Sequence, residues 1–299
     1  MKRSVLALLL LLPCALHAQH EWVYSMQALN LYDGIGAAAG MYDRSAINLR
    51  ARTQWLGVDG APETAQLSYQ TRLNQRLGFG IRINGESIGA FDRSAAVAHL
   101  TWRTALGKGE LAFGLGGGLG YEMLRPERLT ARDAGDPLFV GLENQMSPLV
   151  NASVMFRNER VFIGLETQHL LRNATPWGEI TTTRQPEALL IAGSSHALNA
   201  KWELRPLAAV RYSAQGIVLP ELQLGLWYSK QLWFGAGYRH QTAAYGFCEY
   251  RLRNKYRIAY SYGAPIGLTP PRAAHHEVML GLFWGKNDAR RIESIRYFQ

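Results

Sequence analysis

Polar and apolar residues alternate one by one along most of this chain, the period expected of strands whose two faces meet different surroundings. From Ile47 to Trp55 one face reads Ile47, Leu49, Ala51, Thr53 and Trp55; the other reads Asn48, Arg50, Arg52 and Gln54. Leu67, Tyr69 and Leu73 stand against Gln66, Ser68, Gln70 and Arg72, and Phe79, Ile81 and Ile83 against Gly78, Gly80 and Arg82. Later segments do the same: Leu100 and Trp102 against His99 and Arg103, Leu204, Val210 and Tyr212 against Arg205 and Arg211, and a last segment on His276, Val278, Leu280, Leu282 and Trp284. A face carrying several arginines fits neither a soluble core nor lipid. The pattern predicts an all-β fold, a transmembrane antiparallel β-barrel with lipid outside and polar groups within. Adding the less regular segments near 149–157, 160–168, 188–195, 220–228 and 243–252 brings the total to about fourteen strands, an even number as single-chain bacterial barrels have.

The connections support this independently. Every second one is predicted to be a tight turn: Asn74-Gln75, Leu106–Gly109, Asn158-Glu159, the stretch at Asn199, Ser229-Lys230 and Arg253-Asn254. The others, 56–63, 84–93, 124–148, 169–187, 213–219 and 263–274, are predicted to be longer, with a short hairpin at Gln241 as the exception. Short periplasmic turns and long outer loops are the layout of an outer-membrane barrel. Pro206 falls within a strand, where its missing N–H predicts a bulge or a break. The aromatics Trp55, Trp102, Tyr250 and Trp284 are expected at the membrane interfaces.

The chain ends modify the picture. Met1-Lys2-Arg3 followed by the apolar run Val5–Leu12 and by Ala18 reads as a signal peptide, cut after Ala18. Cys14 offers lipid attachment as an alternative, and Pro13 before it fits that poorly. The expected organisation is a signal peptide over 1–18, a periplasmic or lumenal segment over 19–43, a barrel over 44–285 and a polar periplasmic tail over 286–299. No apolar run after the signal approaches the length of a spanning helix. Cys248 is then the one cysteine left, expected to sit as a small buried or lipid-facing residue. A net charge of +9 raises the question of nucleic acid, but the basic residues are scattered singly, and no nucleic-acid partner is expected.

Several catalytic signatures are absent from the sequence: there is no His-Glu-x-x-His, Cys-x-x-Cys or phosphate loop. The glycines of 114–120 alternate with Leu and Tyr and are read as inward positions that leave room in the lumen. His275 and His276 are neighbours on one strand and point to opposite faces, so they do not converge on a metal. His99 and Glu110 are expected to face the lumen as a polar pair, and His169 and His240 to meet water at strand ends. No enzymatic activity, cofactor or metal is expected.

Residues 52–62, Arg52-Thr53-Gln54-Trp55-Leu56-Gly57-Val58-Asp59-Gly60-Ala61-Pro62, resemble the NQW-x-G-x-D-G-A-P signature of the PorP/SprF family of type IX secretion system membrane proteins. Further segments follow the family in order: Asp136-Pro137-Leu138-Phe139, Val161–Leu165 running to His169, Leu204-Arg205-Pro206, Leu232–Arg239, Arg257–Tyr262 and His276–Leu280. Asp33–Tyr42 departs from the NPAYAGS-like stretch usual near the family's mature N-terminus. The resemblance implies a Bacteroidetes outer-membrane component that serves secretion or surface attachment of large cargo proteins, in some cases gliding adhesins. It implies periplasmic lipoprotein and peptidoglycan-binding partners, beside outer-membrane lipid. Its motif residues here are Trp55, Asp59, Gly60, Ala61, Pro62, Asp136, Pro137 and Phe139. Asp59–Pro62 is expected to form a tight outer hairpin with Gly60 at positive φ.

A second reading stays open, an outer-membrane channel for small solutes. Arg50, Arg52, Arg72, Arg82, Arg103 and Arg205 would line it and favour anions. The large inward Trp227 and Trp233 point instead toward a filled lumen.

Overall fold

The structure is a computed structural model that describes residues 23–42, 44–128, 144–177, 180–214, 216–266 and 274–285. Fourteen strands form the wall among these residues: β1 Ser45–Thr53, β2 Glu63–Arg72, β3 Leu77–Ile88, β4 Phe91–Leu106, β5 Gly109–Leu124, β6 Gln145–Arg157, β7 Val161–Gln168, β8 Glu187–Ser194, β9 Trp202–Ser213, β10 Val218–Tyr228, β11 Leu232–Arg239, β12 Ala243–Leu252, β13 Tyr256–Pro265 and β14 His275–Trp284. Each pairs antiparallel with its sequence neighbours. The register Ser45↔Trp284 to Thr53↔His276 joins β1 to β14 and closes the barrel, which removes every free sheet edge from the wall.

The two faces divide as the alternation predicts. Asn48, Arg50 and Arg52 of β1 point inward and are buried, while Leu49 is exposed. Outside, Leu100, Leu115, Leu222 and Ile258 are each more than half exposed, in a belt that water would not tolerate and acyl chains would cover. Aromatics rim this belt. Trp102 stacks on Phe113 and Trp284 on Tyr69 toward one end, with Tyr250 and Tyr256 at the same level; Tyr212, Tyr238 and Tyr262 stand toward the other. Cys248 is exposed on the outer face.

The end where β1 begins and β14 finishes carries only short connections. Three of them use one device. Asn74 Oδ1 accepts the N–H groups of Arg76 and Leu77 at 2.8 and 2.9 Å, Asn158 Oδ1 those of Arg160 and Val161 at 2.8 and 2.9 Å, and Asn199 Oδ1 those of Lys201 and Trp202 at 2.9 and 3.0 Å. An asparagine thus supplies the acceptor that satisfies the backbone where the ladder stops. Ser229-Lys230 and Arg253-Asn254 have positive φ at both residues, the twist that suits a two-residue hairpin turn.

The opposite end differs from expectation at 84–93. Instead of a loop, β3 runs to Ile88 and β4 starts at Phe91, joined by Gly89 and Ala90. Above the lipid both faces of a strand meet water, so alternation fades while pairing continues. Ser87 Oγ donates to Asp92 across this hairpin at 2.7 Å. The longer connections 125–144 and 169–186 rise from the same end, the second containing a separate two-stranded hairpin, Asn173–Trp177 with Ile180–Arg184. Pro206 keeps its place on the β10 side, opposite Leu224. On the β8 side the ladder stops at Gly193↔Leu207 and resumes at His196↔Leu204 in unchanged register, so the missing N–H causes a break without a bulge.

Candidate functional site

The residues with the most unusual surroundings lie inside the barrel. Residues 23–42 have neither period, and they fill the lumen as an irregular segment with three short 3-10 turns, at Gln27–Leu29, Leu31–Asp33 and Gly36–Ala38. Tyr24, Met26, Leu29, Leu31, Tyr32, Ile35 and Ala37–Ala39 are buried.

The segment runs the height of the barrel. Near the loop end, Glu277 of β14 accepts the Ser25 N–H at 2.7 Å, and Ser25 Oγ meets His275 Nε2 at 3.1 Å. Midway, Asp33 pairs with Arg50 at 2.8 Å and its carbonyl accepts Arg82 Nη1 at 2.9 Å. Glu166, fully buried, accepts the Gly36 N–H at 2.7 Å and Arg82 Nη2 at 2.8 Å. Nearer the turn end, Ser153 accepts the Ala37 N–H at 2.7 Å, Arg103 donates to the Ala39 carbonyl, and Arg157 donates to the Met41 carbonyl at 3.0 Å. Tyr42 then packs edge-on against Phe283 before the chain enters β1. A backbone without regular structure needs partners for its own polar groups, and the inward side chains supply them. Space comes from inward glycines. A Cβ on Gly114 would lie 2.6 Å from Ala37 N, one on Gly78 would meet the Ala39 carbonyl, and one on Gly80 the Tyr32 ring.

Across the lumen the wall fills itself. Trp227 and Trp233 are buried with ring centroids 5.2 Å apart. The Arg205 guanidinium lies 4.2 Å from the Trp227 ring and 5.0 Å from that of Trp233, and Arg251 lies 4.3 Å from Trp227. Glu249 takes the charges of Arg251 and Arg257, and Glu221 that of Arg239 at 2.8 Å. Of the arginines expected to line the lumen, Arg50, Arg52, Arg82, Arg103 and Arg205 are buried there and Arg72 reaches Glu110 near the turn end.

Residues 36–282 match the family described as type IX secretion system membrane protein PorP/SprF. The chain belongs to the PorP/SprF family. It is an outer-membrane β-barrel. Comparison with curated proteins finds no match. Among solved structures, the chain is similar to Omp33 of Acinetobacter baumannii, with 7% identity over 82% of this chain and 100% of that one, at a TM-score of 0.48. It is also similar to the toluene transporter TodX of P. putida, with 13% identity over 89% and 94% at a TM-score of 0.45. The KdgM porin shares 9% identity over 80% and 99% at 0.39.

The family-motif residues Trp55, Asp59, Gly60, Ala61 and Pro62 lie together in the β1–β2 connection at the loop end. Trp55 is therefore off the wall, with a φ of 54°. Gly60 has a φ of 68°, and its carbonyl accepts the Gly89 N–H at 2.9 Å, tying this loop to the β3–β4 hairpin. The Pro62 carbonyl accepts the Gln54 N–H at 3.0 Å and closes the loop. Asp136, Pro137 and Phe139 lie outside the described residues, as do 1–22 and 286–299.

Several single-residue expectations change. His169 is not exposed at its strand end: it is buried, and Asn151 Oδ1 accepts its backbone N–H at 3.2 Å, because β6 overhangs it at the loop end. His240 is exposed. His99 and Glu110 both face the lumen but serve different partners, Tyr32 and Arg82 for His99 and Arg157 and Arg103 for Glu110. His275 points inward, and His276 outward to Tyr260. Missed altogether were the inward glutamates Glu166, Glu221, Glu249 and Glu277. Each occupies an inward position of its strand's alternation, which was the available signal.

Proposed function

We propose that this family member is a sealed outer-membrane scaffold that assists secretion or surface attachment of a partner protein, and that it does not conduct solutes. The occupied lumen carries this reading, since residues 23–42 and the Trp227–Arg205–Trp233 layer stand where a solute would pass. In this reading the loop end faces outward and presents 124–148 and 169–187 to a secreted or surface-anchored cargo. The short turns and the 286–299 tail face periplasmic lipoprotein and peptidoglycan-binding components. A rigid, edge-free wall suits such a role, because it holds loops at fixed spacing while the lipid belt anchors it.

Deleting the gene in its native host and comparing the secreted and surface proteomes by mass spectrometry tests the role. Loss of one or a few large surface proteins, restored by complementation, is expected. An unchanged proteome would refute it and leave the barrel itself untouched.

A further inference from the structure

The loop-end half of the lumen contains a cavity of about 40 Å³ between the inner segment and the wall, lined in part by Gln27, Asp33, Arg50, Arg82, Glu187 and Arg211. Several of its buried donors lack partners. Arg50 pairs with Asp33 through Nη2 and with Glu277 through Nε at 3.4 Å, yet its Nη1 has no hydrogen-bond partner, although the side chain is 1% exposed. Arg211 donates from Nη2 to Gln27 Oε1 at 2.9 Å, leaving its buried Nε and the Gln27 Nε2 without partners. On the acceptor side, Asp33 Oδ2 already meets Arg50, and the lining residues further include Gln66 Oε1 and the Tyr24 hydroxyl without hydrogen-bond partners.

Charge points the same way. Among the described residues, nine arginines and five glutamates are buried, and the side chain of Asp33 is a sixth buried acid, so buried arginines still outnumber buried carboxylates. A buried guanidinium N–H without an acceptor in a low-dielectric lumen is costly, and an anion in contact with it relieves that cost. Guanidinium geometry matches a carboxylate, which accepts two parallel N–H bonds. The volume exceeds the ~10–15 Å³ that one water needs, and a single carboxylate group is of suitable size.

We propose that this cavity is a receptor for one carboxylate, held by Arg211, Arg50 and Gln27. The carboxylate has two sources, a free small acid or the C-terminal end of a peptide chain. The inference stands apart from the secretion role, since binding is measured on the purified barrel.

The test is saturation-transfer NMR on the full chain in detergent micelles, with acetate as the probe and heat-modifiable gel mobility to verify folding. Saturable acetate binding is expected, weakened about tenfold or more in Arg211→Gln through loss of a charge-assisted bond. Arg128→Gln, exposed at the loop end and outside the cavity, is expected to bind like the wild type. Should Arg211→Gln not fold, Gln27→Ala serves for the same comparison. Tetra-alanine with a free C-terminus, tested against its amide, separates the sources. Displacement of acetate by the free peptide alone identifies a chain end, and no displacement by either identifies a free acid. Absence of acetate binding, or equal binding by the wild type and the cavity variants, would overturn the proposal and leave a cavity holding water only.

Discussion

Replacing Glu166 tests how the inner segment is held. Its carboxylate is fully buried and serves two partners, the Gly36 N–H at 2.7 Å and Arg82 Nη2 at 2.8 Å. Arg82 is itself 4% exposed and donates also to His99 and to the Asp33 carbonyl. In Glu166→Ala this guanidinium stays in place without its counter-charge, and a backbone N–H is orphaned. Removing one member of a buried pair costs about 3–5 kcal/mol. Glu166→Gln keeps one acceptor oxygen and the volume, so its expected loss is smaller, about 1.5–3 kcal/mol. The double variant Arg82→Met with Glu166→Leu removes both charges. It is expected to be more stable than the sum of its single variants predicts, with a coupling of about 2–3 kcal/mol. The assay is reversible denaturant unfolding in lipid vesicles, followed by tryptophan fluorescence. A Glu166→Ala loss below about 1 kcal/mol, or a coupling near zero, would refute the claim that this pair anchors the segment.

Three further outcomes follow from the same geometry. In planar bilayers the intact protein is expected to show no steady conductance, and deletion of residues 23–42 only small or unstable pores, because the Trp227–Arg205–Trp233 layer remains; a large open pore in the intact protein would contradict the sealed lumen. Asn158→Ala, which strips the acceptor from two backbone N–H groups at an exposed turn, is expected to cost about 1 kcal/mol in the same unfolding assay, and no measurable change would show that water replaces it freely. Cys248 on the lipid face is expected to react slowly with a charged thiol reagent in vesicles and rapidly once unfolded; equal rates would place it in water.

Strand existence, facing and the division into a turn end and a loop end were legible in the sequence. Alternation is a local property: Arg50 beside Leu49 must face away from it whatever the partner strand is. The asparagine turns at 74, 158 and 199 were legible for the same reason, since each side chain reaches a backbone only two or three residues on. Loop lengths were less so. Between 84 and 93 the alternation faded although the pairing did not, because water on both faces removes the signal without removing the ladder.

What occupies the lumen was decided by tertiary structure alone. Residues 23–42 carry no period, and Ser25 finds Glu277 at a separation of 252 residues, beyond any local pattern. The inward arginines could be listed from the sequence, but not whether they line a water-filled passage or hold a packed segment. That choice depends on which carboxylates, carbonyls and rings stand opposite them once the barrel closes. An inward charge has to be compensated by something, and only the closed wall determines whether that partner is water, a glutamate from another strand, or the chain's own N-terminal backbone.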